Sequence, residues 1–245
     1  MMIKLIGIFI RSRSNLWMSI GRRIWHFLTW DPWVSRSWSQ EGEDILLDRI
    51  FGRKKNGFYV DVGAHHPMRF SNTYFFYRKG WKGINIDAMP GSMKEFKKYR
   101  RRDINLELGV AQQESILDYY IFNEPALNTF SVEAAQKHKS KKNYYYVKKI
   151  IKIKVKPLRE ILDYYLKNQK IDFLNVDVEG FDLNVLQSND WSKYRPRFVL
   201  AEILGGSSLL SINKNKVVQF MRKHGYKVYA KQMNTVFFKD IQISH

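Results

Sequence analysis

Cysteine is absent from the 245 residues. That excludes disulfide cross-links, thiolate metal sites and a cysteine nucleophile, while leaving the redox compartment open. Long apolar runs are missing too. Met1 to Ile10 is apolar but short, is interrupted by Lys4, and leads into Arg11 and Arg13 rather than the small residues of a signal-cleavage site. Nothing approaches the roughly 20 apolar residues of a membrane-spanning helix, so the expected location is the cytoplasm, with peripheral attachment at the inner face of the membrane as an option. Acidic residues are scarce, 23 against 42 Lys plus Arg, and the resulting formal charge of +19 favours polyanions, anionic membrane surfaces or phosphate-bearing substrates without choosing among them. With 44% hydrophobic and 15% aromatic residues the chain can fill one core of catalytic-domain size.

Residues 1–38 differ from the rest. Trp17, Trp25, Trp30, Trp33 and Trp38 are interspersed with Arg11, Arg13, Arg22, Arg23 and Arg36, and Leu16, Ile20, Ile24 and Phe27 fall at helical spacing. A helical extension ending at Asp31-Pro32 is expected, suited either to an anionic bilayer surface or to packing against protein, a homo-oligomer interface included. From Ser39 to His245 the pattern alternates helix and strand. Helix is expected at 43–51, 71–79, 93–99, 157–166, 181–186 and 216–224, and strand at 58–62, 83–87, 104–110, 117–122, 147–155, 171–176 and 197–203. Two further strands, 226–230 and 235–239, are joined too tightly for a crossover and should be antiparallel. This alternation predicts a mostly parallel sheet flanked by helices.

The chemistry concentrates where strands end. Val60-Asp61-Val62-Gly63-Ala64 places an acid and a glycine in a strand-to-helix turn, where backbone approaches a ligand closely. Asp87 ends the next strand 26 residues after Asp61, the position from which an acid accepts hydrogen bonds from a ribose diol. A nicotinamide enzyme would share that acid and also carry Gly-x-Gly-x-x-Gly, but here Gly63 is followed by Ala64-His65-His66-Pro67. The turn therefore disfavours a diphosphate cradle and permits S-adenosylmethionine, which has no phosphate. Farther on, Asp177 and Glu179 close the fourth core strand and Glu202 the next, forming a carboxylate rim. Either Asp177 or Glu179 is placed to take a proton from a hydroxyl. Alternatively Asp177 and Glu202, with a histidine, are metal candidates for a Mg²⁺-like ion. His66, beside the turn, is a further candidate catalytic group.

These segments resemble the FkbM-type methyltransferases. The likeness rests on Phe58 to His65, Ser71-Asn72-Thr73, Gly80-Trp81-Lys82-Gly83, Asp87-Ala88-Met89-Pro90, Asp172 to Gly180, and Arg195-Pro196 through Glu202. The resemblance runs from about Ser39 to Lys239; Asp87 stands where the family often has Glu, and Lys137 to Lys156 does not align. It implies a class I, Rossmann-like α/β fold with a seven-stranded sheet and S-adenosylmethionine as methyl donor. The cofactor would be held by Asp61, Gly63, Ala64, His65, Asp87 and Ala88, with Ser71, Asn72 and Thr73 at a helix start receiving its carboxylate. An ordinary helix cap is the competing reading of Ser71 to Thr73. The implied reaction is O-methylation of a sugar hydroxyl, in a nucleotide sugar or a cell-surface glycan. A nucleic-acid methyltransferase, drawn from the charge and the Lys/Tyr-rich stretch, is the weaker enzymatic alternative: amino-methylating DNA enzymes typically carry paired prolines where this chain has Val178-Glu179. A noncatalytic membrane-binding module would rest on residues 1–38 alone.

Overall fold

The computed structural model describes residues 34–242 apart from 53, 141–143, 205–207 and 209–210. The helix expected within residues 1–38 lies outside the described residues. Ser37–His245 forms one compact unit, distinct from Met1–Arg36. It begins at Ser37 rather than Ser39 because Trp38 is tied into it. The Trp38 N–H donates to Asp44 Oδ2 (2.7 Å), its carbonyl accepts from Ser71 N (2.9 Å), and its ring meets Tyr74 and Phe75 beneath the Arg78 guanidinium.

Ten strands and seven α-helices are described. The main sheet contains β1 (Phe58–Val62), β2 (Lys82–Asp87), β3 (Ile104–Glu107), β7 (Phe173–Val176), β8 (Phe198–Glu202), β9 (Tyr226–Gln232) and β10 (Thr235–Asp240), in the order β3-β2-β1-β7-β8-β10-β9. Only β10 runs against its neighbours. The two-residue link after β9 forces that reversal. The chain departs from β1 toward β2 on one side and returns to β7 on the other, so the carboxyl ends of β1 and β7 form the switch point of the sheet.

Strand alternation sends side chains to two cores. On one face Val60, Val62, Ile84, Ile86, Leu174 and Val176 meet α5 (Leu158–Tyr165), α6 (Asp182–Gln187) and α7 (Lys216–Lys223). On the other, Tyr59, Phe173, Phe198 and Phe237 pack with Leu47 and Phe51 at α1 (Glu43–Ile50) and with Phe76 of α2 (Tyr74–Arg78). Phe173 lies within 6.1 Å, centroid to centroid, of Phe51, Tyr59, Phe76 and Trp81. Truncating such a ring to Ala typically costs about 3–5 kcal/mol.

The expected strand 104–110 is broken. Leu108 N still donates to the Asp87 carbonyl (3.0 Å), but Gly109 leaves the main sheet to pair with Val155. A side chain at 109 would lie 2.6 Å from Val155 Cγ1 and 2.7 Å from Phe130 Cζ, so glycine permits the crossing. A small second sheet follows, of β4 (Gly109–Val110), β5 (Ser115–Phe122) and β6 (Val147–Lys156), with α4 (Val132–Ser140) inserted between β5 and β6. Helix α3 (Met93–Tyr99) covers the β2 to β3 connection. No helix among the described residues is long and apolar enough to cross a membrane.

Candidate active site

A crevice opens at the switch point. Its floor is built from the ends of β1, β2 and β7, and its roof from β4, β5 and the segment Pro125 to Phe130. Gly63 stands at the centre with φ 85°, and its N–H and that of Ala64 both go to the Ile86 carbonyl (2.9 and 3.1 Å). This fastens the β1 turn to β2.

Asp87 is 8% exposed and held from two sides: His65 N donates to Oδ2 (2.9 Å) and Met89 N to Oδ1 (2.8 Å). Each oxygen keeps a second lone pair for a ligand. Burial raises the Asp87 pKa, opposed by these N–H donors and by nearby His65. His65 lines the crevice in the left-handed backbone region, φ 52°, and burial lowers its pKa so that it favours the neutral form. Ala88 also lines the crevice.

Four of the expected cofactor residues lie elsewhere. Asp61 shares a face with Tyr59, away from Val62, and is buried under α2. It accepts from Thr73 Oγ1 (2.8 Å) and Asn175 Nδ2 (2.9 Å), while Asn72 Nδ2 donates to Asn175 Oδ1 (2.9 Å). Burial raises the Asp61 pKa against those hydrogen bonds. Ser71 Oγ accepts from Tyr74 N (3.1 Å), which is the helix-entry cap weighed above. None of Asp61, Ser71, Asn72 and Thr73 lines the crevice, and α2 spans only five residues. His66 is likewise engaged: its Nδ1 accepts from Met68 N and Arg69 N (3.0 and 2.9 Å), so that lone pair is not free to take a substrate proton. Burial lowers the His66 pKa, in keeping with a neutral ring that caps a turn.

The acceptor-side rim sits across Gly63 from Asp87. Asp177 and Glu179 line the crevice, and Glu202 stands beside them, with carboxylate oxygens of all three within 4.8 Å of one another. Glu179 and Gly180 are consecutive left-handed residues (φ 52° and 86°), and a side chain at 180 would press on Ala134 Cβ and Leu204 Cδ1. The inserted segment grips this turn. Thr129 Oγ1 donates to the Glu179 carbonyl (2.9 Å), and His138 Nε2 approaches Glu179 Oε2 at 3.5 Å. Asp177 is exposed to solvent at the crevice mouth. Crowding by the surrounding protein and repulsion from Glu179, Asp182 and Asp61 raise its pKa above the usual value for an aspartate. Burial and then the Asp177 charge push Glu202 up to about 10, and burial takes Asp182 to about 7. His138, Thr129 and Tyr119 did not emerge as site residues from the sequence. They lie in or beside the stretch without recognisable motif, and the polar helix VEAAQKHKS gives its histidine no distinguishing spacing.

A mostly parallel sheet with one reversed strand and an acid-lined crevice at its switch point is a Rossmann-like α/β architecture. The chain belongs to the FkbM methyltransferase family: the model of the methyltransferase FkbM domain matches residues 61–228. Among curated proteins none matches. Two solved structures are similar in chain path. One, a candidate RNA methyltransferase of Pyrococcus horikoshii, is 9% identical with a TM-score of 0.41, covering 82% of this chain and 84% of that one. The other, a candidate O-methyltransferase of Klebsiella pneumoniae, is 10% identical with a TM-score of 0.37, covering 97% and 94%. At these values neither informs on substrate.

The family implies S-adenosylmethionine as methyl donor, and the crevice suits it. Asp87, whose carboxylate oxygens each accept one backbone N–H, offers remaining lone pairs to a diol.

Proposed function

We propose that the protein is an S-adenosylmethionine-dependent O-methyltransferase whose acceptor is a sugar hydroxyl, in a nucleotide sugar or a cell-surface glycan. The observation carrying this reading is the clustered carboxylate rim of Asp177, Glu179 and Glu202 across Gly63 from Asp87. Several acceptor oxygens in one place suit a polyhydroxylated ligand, and a carboxylate at the crevice can take the proton that the attacking hydroxyl must lose. Bound donor supplies an electrophilic methyl group. The protein's part is to align the hydroxyl with it and to remove water, which the roof from Pro125 to Phe130 favours. The basic remainder of the chain would suit a phosphate on the acceptor.

The lysine-rich β6 gives less support to a nucleic-acid acceptor. Lys152 and Lys154 pair with Asp118 and Glu114 (2.8 and 2.9 Å) on the neighbouring strand, which reduces the free charge of that face. Mass spectrometry of reactions containing S-adenosylmethionine and a panel of sugar nucleotides, polysaccharide fragments and RNA tests the assignment. A single-methyl gain on a sugar nucleotide or polysaccharide is expected; methylation of RNA alone would overturn it.

A further inference from the structure

Helix α3 turns Met93 and Phe96 into the core and leaves Lys94, Lys97 and Lys98 exposed. Arg101, exposed in the turn that follows, continues the spacing i, i+3, i+4, i+7, so the four cations lie along one side. Cations this close repel one another, and Glu95 is the single acid of the helix. Among the described residues, none of Arg69, Lys94, Lys97, Lys98, Arg101 and Arg102 forms an ion pair with a carboxylate. Lysines on other elements do: Lys79 pairs with Asp48, Lys152 with Asp118 and Lys193 with Asp163. A patch that gathers like charges without acids works against its own helix and complements an anionic partner.

Aromatic rings stand among these cations. Arg100 Nη1 donates to the Pro67 carbonyl (3.0 Å), which brings the loop before α2 against the end of α3 and sets Arg69 and Phe70 beside the basic side. Phe70 is 41% exposed at φ 56°, a left-handed conformation that bulky side chains rarely adopt, so the ring is held out into solvent at a cost. The Arg69 guanidinium lies 4.2 Å from the centre of that ring, Arg102 lies 3.9 Å from that of Tyr77, and Lys98 lies 5.0 Å from that of Tyr99, which is 38% exposed. Rings with a cation on one face offer less stacking surface to a nucleic-acid base. Ring and cation together suit the interface of a bilayer, where aromatic side chains sit at headgroup depth and basic side chains meet lipid phosphates.

We infer that this surface, from Arg69-Phe70 across α3 to Arg102, docks on an anionic lipid bilayer. Both of its segments set out from the crevice wall, one after His65 and the other after Ala88, so docking brings the crevice toward the headgroups. The folded unit binds lipid through its own residues, whatever residues 1–38 contribute and whichever acceptor is methylated.

The test is sedimentation of the full chain at low salt with phosphatidylglycerol vesicles and, separately, with phosphatidylcholine vesicles. Binding to the first and not to the second is expected. Lys94→Gln/Lys97→Gln/Lys98→Gln should weaken it at least about tenfold. Lys148→Gln/Lys149→Gln/Lys227→Gln, which removes three exposed lysines on other elements, should weaken it less than about threefold. Phe70→Asn, a replacement that tolerates left-handed backbone, should weaken it at least about threefold. Glutamine preserves helix propensity, circular dichroism verifies the folding of each variant, and Phe70→Asn decides the question if the α3 triple variant does not fold. Absence of a preference for phosphatidylglycerol, or equal losses in the two triple variants, overturns the surface. Unchanged vesicle binding in folded Phe70→Asn overturns the lipid assignment, since the ring is what selects a bilayer over other polyanions. So does single-stranded RNA binding, followed by fluorescence anisotropy, that falls in the α3 triple variant while vesicle binding does not.

Discussion

The carbonyl oxygen of Asp177 lies 1.8 Å from where a Cβ on Gly63 would stand. The cofactor-side and acceptor-side strands therefore meet at a point where no side chain fits. Gly63 is usually explained by a ligand's approach, but here the approach of β7 demands it first, and its φ of 85° adds to the demand. Gly63→Ala should lose at least about 2 kcal/mol of stability from backbone strain and displacement of Asp177. Denaturant unfolding measures it, and wild-type stability in the variant would mean that the two strands do not approach in this way.

Asp87 accepts backbone N–H groups from the β1 and β2 turns and is expected to hold the ribose with its remaining lone pairs. Hydrogen bonds to a charged acceptor contribute about 1.5–3 kcal/mol. Asp87→Ala should accordingly weaken S-adenosylmethionine binding by roughly 10- to 100-fold in calorimetry. A folded variant with unchanged affinity would take Asp87 out of the cofactor site.

Asp177→Asn and Glu179→Gln are expected to reduce turnover about 100-fold or more, the scale of acid-base contributions, while cofactor affinity stays within about threefold. His66→Asn provides the contrast. An amide oxygen can accept the two N–H groups that His66 Nδ1 now accepts, so turnover should fall by less than about threefold. A collapse of turnover in folded His66→Asn would restore a catalytic role to that ring.

Much of this arrangement is legible in the sequence, and the exceptions have physical causes. Strands β1, β2, β7 and β8 are short apolar runs ending in acid or glycine, and the antiparallel β9 and β10 follow from their short connection. Asp61 stands two residues from Gly63 along the chain, which suggests nearness to the ligand. Strand alternation instead places it with Tyr59, on the face covered by α2. The strand expected at 104–110 splits because Val155 and Phe130, distant in sequence, draw Gly109 into another sheet. His138 has no local signature at all. Its meaning arises only when α4 lies beside a turn more than 40 residues farther along the chain.

Beneath the crevice runs a polar row that no local motif announces: Asn105, Asn85, Asp61 and Asn175 stand in register across β3, β2, β1 and β7. Arg100, fully buried, closes it from the side. Its Nε donates to Asp103 Oδ2 (2.9 Å), its Nη1 to the Pro67 carbonyl (3.0 Å), and its Nη2 to Tyr59 Oη (2.7 Å) and Thr73 Oγ1 (3.0 Å). One planar fork thus joins the loop before α2, the cap of α2 and the start of β3, a pattern the single ammonium of lysine does not reproduce. Arg100→Met should cost about 3–5 kcal/mol, because it leaves the buried Asp103 carboxylate without its countercharge. Adding Asp103→Asn should recover part of that loss, since the stranded charge goes with it. Denaturant unfolding of the two single variants and the pair gives their coupling. If Arg100→Met loses less than about 1 kcal/mol, or the pair is no better than the sum of its parts, the row is not held by this guanidinium.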